Sequence, residues 1–349
     1  MKFLDCMKQG KTYIIAELSA NHGGSYDRAI DIIRAAKEVG ADCLKIQTFT
    51  PDTLTLDCDN QFFLPASTGL WKGMRSYELY QKAFTPWEWQ ADLKKECDRL
   101  GLDFLSSVFD PTSVDFLEGL DVEFYKIASP ELLDIPLLEY TASKGKPMIM
   151  SCGIGTQQEI WDAVNACRKQ GNDQIYLLKC TSEYPTRFEQ MNMSLIPAMK
   201  EEYGCPVGLS DHSMGHLAAV VAVSLGACIV EKHFCITREV ETPDSTFSMN
   251  YEEFKEMVDR IRDVEKILGD AKFPQTREEA RKPRQGRSLF SSAEIRKGEC
   301  FTSDNVRSIR PGIGLAPKYY HDLLGRRSVR DIPRGYPLEM SDLEGEKDV

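Results

Sequence analysis

Short apolar runs recur along residues 12 to 234: TYIIAEL, DCLKIQT, DFLSSV, FYKIAS, PMIMSC, IYLLKC, PVGLSD and CIVEKHF. Amphipathic stretches such as SYDRAIDIIRAAKEVGA, TPWEWQADLKKECDRLG and GTQQEIWDAVNACRKQG separate most of them, and several end in glycine, a common helix stop. Eight β-then-α units predict a parallel sheet, and eight is the number of strands that closes a (β/α)8 barrel. An open doubly wound sheet is the alternative. It calls for a glycine-rich phosphate loop after the first strand, and ELSANHGGS lacks the GxGxxG spacing.

The pattern changes after the helical stretch YEEFKEMVDRIRDVEKILG. Residues 1–268 are assigned to the barrel, the polar stretch 269–286 to a linker, and 287–349 to a small β-rich domain. Within the last segment, IRKGECFTSDNV from Ile295 and IPRGYPLEMSDL from Ile332 share the pattern I-x-x-G-x-x-[FL]-x-x-x-[ND]-[VL], which predicts pseudo-symmetry. Between the copies lies RSIRPGIGL, a basic, glycine-rich loop containing Arg310.

A barrel places its chemistry where its strands end. The first run ends in Glu17, followed by Asn21 and His22. The second carries Lys45 and Gln47 on one face, and the third ends in Ser106 and Ser107. Lys126, Ser129 and Glu131 follow in the fourth unit, Ser151 in the fifth, and Thr181, Ser182 and Tyr184 in the sixth. The seventh ends in Ser210, Asp211 and His212, and the eighth in Glu231, Lys232 and His233.

A lysine inside a strand needs an anion or loses its proton. A core carboxylate is one partner for Lys45 and Lys126. An imine with a carbonyl substrate is another reading. Two lysines among many hydroxyls better suit a bound phosphate plus carboxylate. His212 and His233 end adjacent strands, and two imidazoles with open positions suit a divalent metal. Glu17 reads as an ion-pair partner or a general acid or base, and Asp244 as a turn cap or a group at the same mouth. His216 and His321 are read as structural.

Composition narrows the class. The net charge of −11 disfavours a nucleic-acid partner. Residues 281–349 carry 14 basic against 10 acidic side chains, while the rest carries 29 against 44. Two oppositely charged bodies can attract each other. There is no run of 18 apolar residues, so no membrane span is expected, and the N-terminus is too polar for a signal peptide. Eleven cysteines without a CxxC pair, several in apolar runs, point to reduced thiols in a cytoplasm.

The motifs AELSANHGGS, KIQTFTPDTLT, YKIAS, KCTSEYPT, GLSDHS and EKHF, with RPGIG in the C-terminal part, resemble the sialic acid synthase family over nearly the whole chain. The resemblance implies a TIM barrel followed by an antifreeze-like (SAF) domain. It implies condensation of phosphoenolpyruvate (PEP) with the aldehyde of an N-acetylated amino sugar. Lys45, Ser107, Lys126, Ser129, Ser151, Ser182 and Ser210 would hold PEP. His212 and His233 would bind manganese, magnesium or cobalt. Glu17, with His233, would be catalytic. Gln47, Glu131, Tyr184 and Asp244 would meet the sugar, as would Arg310 from the partner in a domain-swapped homodimer. Glu231 and Lys232 receive supporting roles only.

Within the family, STGLWKGMRSYELYQKAFTPWEWQ looks most like the pseudaminic acid synthases, whose sugar is 2,4-diacetamido-2,4,6-trideoxy-L-altrose. N-acetylneuraminate and legionaminate synthases are the alternatives. Cys152 stands where Thr is common beside Ser151. A class I aldolase and a non-catalytic sugar-binding protein are the more distant readings.

Overall fold

The eight apolar runs form β1 (Tyr13–Glu17), β2 (Cys43–Thr48), β3 (Asp103–Val108), β4 (Tyr125–Ile127), β5 (Met148–Ser151), β6 (Ile175–Cys180), β7 (Val207–Asp211) and β8 (Ile229–His233). They close into a parallel barrel in chain order, the expected TIM-barrel architecture. This computed structural model describes residues 2–67, 69–282 and 284–345. Met1, Thr68, Pro283 and residues 346–349, which fall within the predicted domains and linker, lie outside the described residues.

Strand alternation sorts side chains into two shells. Ile14, Ala16, Leu44, Ile46, Met148, Leu177 and Val230 face the surrounding helices in one large buried cluster. Tyr13, Ile15, Cys43, Leu105, Ile149, Leu178 and Ile229 form a second cluster inside the barrel. The helix Lys2–Gln9 closes the base by placing Phe3 among Tyr13, Phe124 and Tyr176, with ring centroids 5.0, 5.2 and 4.7 Å away.

The outer helices begin where their sequences provide caps. Ser25 accepts from the Arg28 amide ahead of Tyr26–Glu38, and Asn250 accepts from the Glu253 amide ahead of Tyr251–Leu268. Among the described residues no helix is long and apolar enough to cross a membrane.

The chain divides into two units, Met1–Gly269 and Asp270–Val349. The stretch read as a linker contains one helical turn, Arg277–Ala280. In the second unit, β9 (Ser288–Ser291) pairs antiparallel with β10 (Val306–Ile309). The two sequence copies meet through their first residues. The Ile295 amide donates to Ile332 O at 2.9 Å and the Ile332 amide to Ile295 O at 2.7 Å. Phe301 and Leu338 are both fully buried in the small core. Asn305 and Asp342 each accept from the amide three residues earlier. Gly298 and Gly335 both adopt positive φ, 81° and 84°, which favours glycine at this position of the repeat.

Candidate active site

One inward step above the apolar layer, the barrel becomes polar on seven strands and presents a thiol on the sixth, β6. Ile15 gives way to Glu17, Cys43 to Lys45 and Gln47, Leu105 to Ser107, and Phe124 to Lys126. Ile149 gives way to Ser151, Leu178 to Cys180, Gly208 to Ser210, and Ile229 to Glu231 and His233. Register brings these groups together: Glu17 lies opposite both Lys45 and His233, Ser107 opposite Lys126, and Ser210 opposite Glu231.

The charged centre is buried and densely paired. The Lys45 ammonium lies 2.5 Å from Glu17 Oε2 and 2.8 Å from Glu231 Oε1. Burial lowers its pKa to about 8, against the pull of Glu231. Lys126 donates to Ser151 Oγ at 2.7 Å and to Ile127 O at 2.8 Å, and stands 3.8 Å from Glu231 Oε1. Ser210 donates to the same Glu231 oxygen at 3.1 Å. Burial alone would raise the Glu231 pKa, but Lys126 and Lys45 outweigh it and hold the carboxyl below its ordinary range. Gln47 Nε2 bridges Glu17 Oε1 at 3.0 Å and Ser19 Oγ at 2.9 Å.

Ser129, Ser182 and Cys180 crowd around Gly153. A Cβ there would come within 2.5 Å of Ser182 Oγ, 2.8 Å of Ser129 Oγ and 3.2 Å of Cys180 Sγ, so this close approach requires glycine. Glu131 is mostly buried, and desolvation raises its pKa to about 7.

Across the mouth, the His212 and His233 rings are 5.4 Å apart. The Nδ1 of His212 donates to Thr181 O at 3.0 Å, which orients the ring in the mouth. Burial opposes a charge on His212, but the neighbouring Cys180 outweighs it and raises the imidazole pKa. Burial and the positive neighbours hold His233 well below its usual pKa. Asp244 Oδ2 accepts from the Ala20 amide at 3.1 Å and lies 3.9 Å from His233 Nδ1. The Tyr184 ring packs 4.2 Å from His212 and 6.2 Å from His233.

The first unit thus gathers every predicted site residue except Arg310, which is exposed at the end of β10 in the second unit. Several residues depart from the sequence reading. Glu231, assigned a supporting role, is the central carboxylate between the two lysines. Strict alternation is the signal, because it puts Glu231 on the inward face with His233. Lys232 points outward, where its ammonium lies 2.6 Å from Asp211 Oδ2. Cys180, which ends one of the apolar runs, faces the mouth: burial would raise its thiol pKa, but His212 outweighs it and lowers it. Ser106 points outward and bonds Thr48 at 2.6 Å. His22 is structural: its Nδ1 accepts from the Gly24 amide, and burial lowers its pKa to about 4.

Buried side-chain polar atoms rarely lack a hydrogen-bond partner. Among the described residues, all such atoms belong to Glu17, Ser107, Glu131, Ser182, Glu231 and His233, residues of this cluster. Glu17 Oε2 keeps its close contact with Lys45, whereas Ser107 Oγ and Ser182 Oγ are hydroxyls without such a counter-charge. Unsatisfied groups concentrated at one end of a barrel mark a surface shaped for a polar ligand.

The sequence matches the NeuB family over residues 32–273 and the SAF domain over 286–344. It is 44% identical to the pseudaminic acid synthase of Campylobacter jejuni, covering 96% of this chain and 97% of the relative. It is 34% identical to the N,N'-diacetyllegionaminic acid synthase of Legionella pneumophila, with 95% and 94% covered. The crystal structure of the spore coat polysaccharide biosynthesis protein SpsE from Bacillus subtilis superposes with a TM-score of 0.64 at 35% identity, over 97% of this chain and 96% of that one. Fold, motifs and relatives agree: the chain belongs to the NeuB family of sialic acid synthases, and within it lies close to the pseudaminic acid synthases.

Proposed function

We propose that the protein condenses PEP with the open-chain aldehyde of 2,4-diacetamido-2,4,6-trideoxy-L-altrose, forming pseudaminic acid and releasing phosphate. The observation that carries this reading is the polar inner layer itself: two buried lysines and a ring of hydroxyls, with the unsatisfied buried polar atoms of the described residues concentrated there. The relatives named pseudaminic acid synthase supply the choice of sugar.

PEP is a trianion near neutral pH. Lys45, Lys126, Ser107, Ser129, Ser151, Ser182 and Ser210 hold its phosphate and carboxylate. Its methylene carbon attacks the sugar aldehyde, water adds to the resulting cationic C2, and the tetrahedral intermediate expels phosphate by C–O cleavage. Glu17, fixed by Gln47 and Lys45, takes or returns a proton in these steps. Glu131, Tyr184 and Asp244 contact the sugar.

Charge balance favours a divalent metal. Glu17 and Glu231 offset Lys45 and Lys126, so a trianion enters a centre with no surplus positive charge. The donor set fits such an ion: Thr181 O orients the His212 ring, and His233 is held neutral. Among the described residues no group of three His, Cys, Asp or Glu side chains is arranged for a metal, so substrate and water would complete the coordination. Manganese, magnesium or cobalt held there would polarise the aldehyde oxygen as a Lewis acid.

Arg310 reaches the sugar from the partner of a domain-swapped homodimer. Mixing Arg310→Ala with Glu17→Ala subunits should then restore activity, to about half per heterodimer, because one of two equivalent sites is whole. No recovery after demonstrated subunit exchange removes the swap. The protein works in the cytoplasm, where PEP is made.

The function is tested by phosphate release from PEP with a panel of acetamido sugars, with and without manganese. Release with the diacetamido trideoxy sugar, and a nine-carbon keto acid in the mass spectrum, is expected. Preference for N-acetylmannosamine or the legionaminic precursor would reassign the sugar. An adduct trapped by borohydride, with activity surviving EDTA, would favour an aldolase.

A further inference from the structure

The mouth has two chemically different walls. One is the floor of ammonium and hydroxyl groups around Lys45 and Lys126. The other is a row of rings. Phe247 lies 4.9 Å from His233 and 5.0 Å from Tyr184, and Tyr184 lies 4.2 Å from His212. Trp71 extends this row outward, its ring 5.8 Å from Tyr184.

Trp71 lies between the helices Pro51–Leu54 and Ser76–Ala83, in the long connection after β2. Its indole Nε1 donates to Pro243 O at 3.2 Å, next to Asp244 in the loop after β8. The connection from β2 therefore reaches the loops after both β6 and β8. The tether also commits the only polar group of the side chain, so what Trp71 offers a ligand is a hydrocarbon ring.

Resting on the proposed reaction, the aldehyde carbon lies by the histidine pair and PEP on the lysine floor. The rest of the sugar then extends along Tyr184 toward Trp71. We propose that Trp71 is a specificity-determining residue, selecting a sugar whose far end is a methyl group over one ending in a hydroxymethyl group. A hydroxyl set against the indole would lose its water without gaining a partner, whereas a methyl group loses nothing there.

The test compares 2,4-diacetamido-2,4,6-trideoxyaltrose with the same sugar carrying a hydroxyl at C6. Both are assayed with wild type, Trp71→Ala and Trp71→Phe, as kcat/KM or, for a sugar not turned over, as an inhibition constant. An apolar pocket discriminates such pairs by about 10- to 100-fold. Wild type should show a preference of that size. Trp71→Ala should bring the ratio close to one with the KM for PEP within about twofold of wild type, the change expected when a contact to one substrate alone is lost. Trp71→Phe, which keeps an aromatic surface but loses the tether, should retain most of the preference. An unchanged ratio in an active Trp71→Ala enzyme overturns the inference alone. So does a wild type that favours the hydroxylated sugar, or a KM for PEP that rises in step with that for the sugar. PEP consumption by wild type with no acetamido sugar at all overturns the proposed function, and this inference with it.

Discussion

The base and the mouth of the barrel are built from the same eight strands, one inward step apart, yet they do opposite things. At the base, Tyr13, Leu105, Phe124, Ile149, Leu178 and Ile229 pack around Phe3, and the Tyr13 hydroxyl is satisfied by Asp103 at 2.7 Å. At the mouth the same strands present Glu17, Ser107, Lys126, Ser151, Cys180 and Glu231, with several polar atoms left unsatisfied. The apolar base gains from burial; the mouth bears desolvation costs that a ligand can offset. Stability and chemistry are thus divided along the barrel axis, and a substitution should reveal its layer by which property it changes.

The largest contrast is expected at His233. His233→Ala should reduce turnover to background and weaken manganese binding, while the thermal transition shifts little. A variant retaining full manganese-dependent activity would remove the metal assignment. At the other end, Phe3→Ala should cost about 3–5 kcal/mol of stability, as for large-to-small changes in a packed core. Its KM values should match wild type at temperatures where it is folded; altered PEP kinetics would break the division between layers.

A smaller effect should follow from Glu131, a mouth residue that also marks stability. Its pKa rises from an ordinary 4.5 to about 7, chiefly through burial. The folded state therefore binds this proton more tightly than the unfolded chain. The stabilisation is fully present below 4.5 and is lost as pH rises to about 7. Glu131→Gln cannot ionise, so across that window it should gain on wild type by up to about 3 kcal/mol. Denaturant titrations at both ends of the window check this, and a constant difference would show that Glu131 is not desolvated in the folded protein.

The division was largely legible in the residue pattern. Eight apolar runs with polar ends predict the barrel and the convergence of Lys45, Lys126, Ser151, Ser210 and the two histidines. The internal repeat predicts the pseudo-symmetry of the second unit, where the structure pairs Ile295 with Ile332. What the pattern hid were partners. Glu231, Lys232 and His233 read as one polar cluster until alternation separates an inward Glu and His from an outward Lys paired with Asp211. Cys180 looked like core because a thiol is apolar until a histidine meets it. Trp71 gave no periodic signal, because its position depends on a contact with Pro243, 172 residues away along the chain. The role of Arg310 rests on family resemblance, since no local pattern says which barrel a loop will reach.

Calorimetric titration of PEP into wild type, Lys126→Met and Leu105→Ala tests the central claim most directly. Lys126 and Leu105 are both buried residues of the barrel interior, one in the polar layer and one in the apolar layer. Losing a charge-assisted partner of a buried anion costs about 2–5 kcal/mol, so Lys126→Met should bind PEP at least about thirtyfold more weakly. Leu105→Ala should lose stability yet bind PEP as wild type does. Equal PEP affinity in wild type and Lys126→Met would contradict the account and leave Lys126 as part of a core ion pair with Glu231.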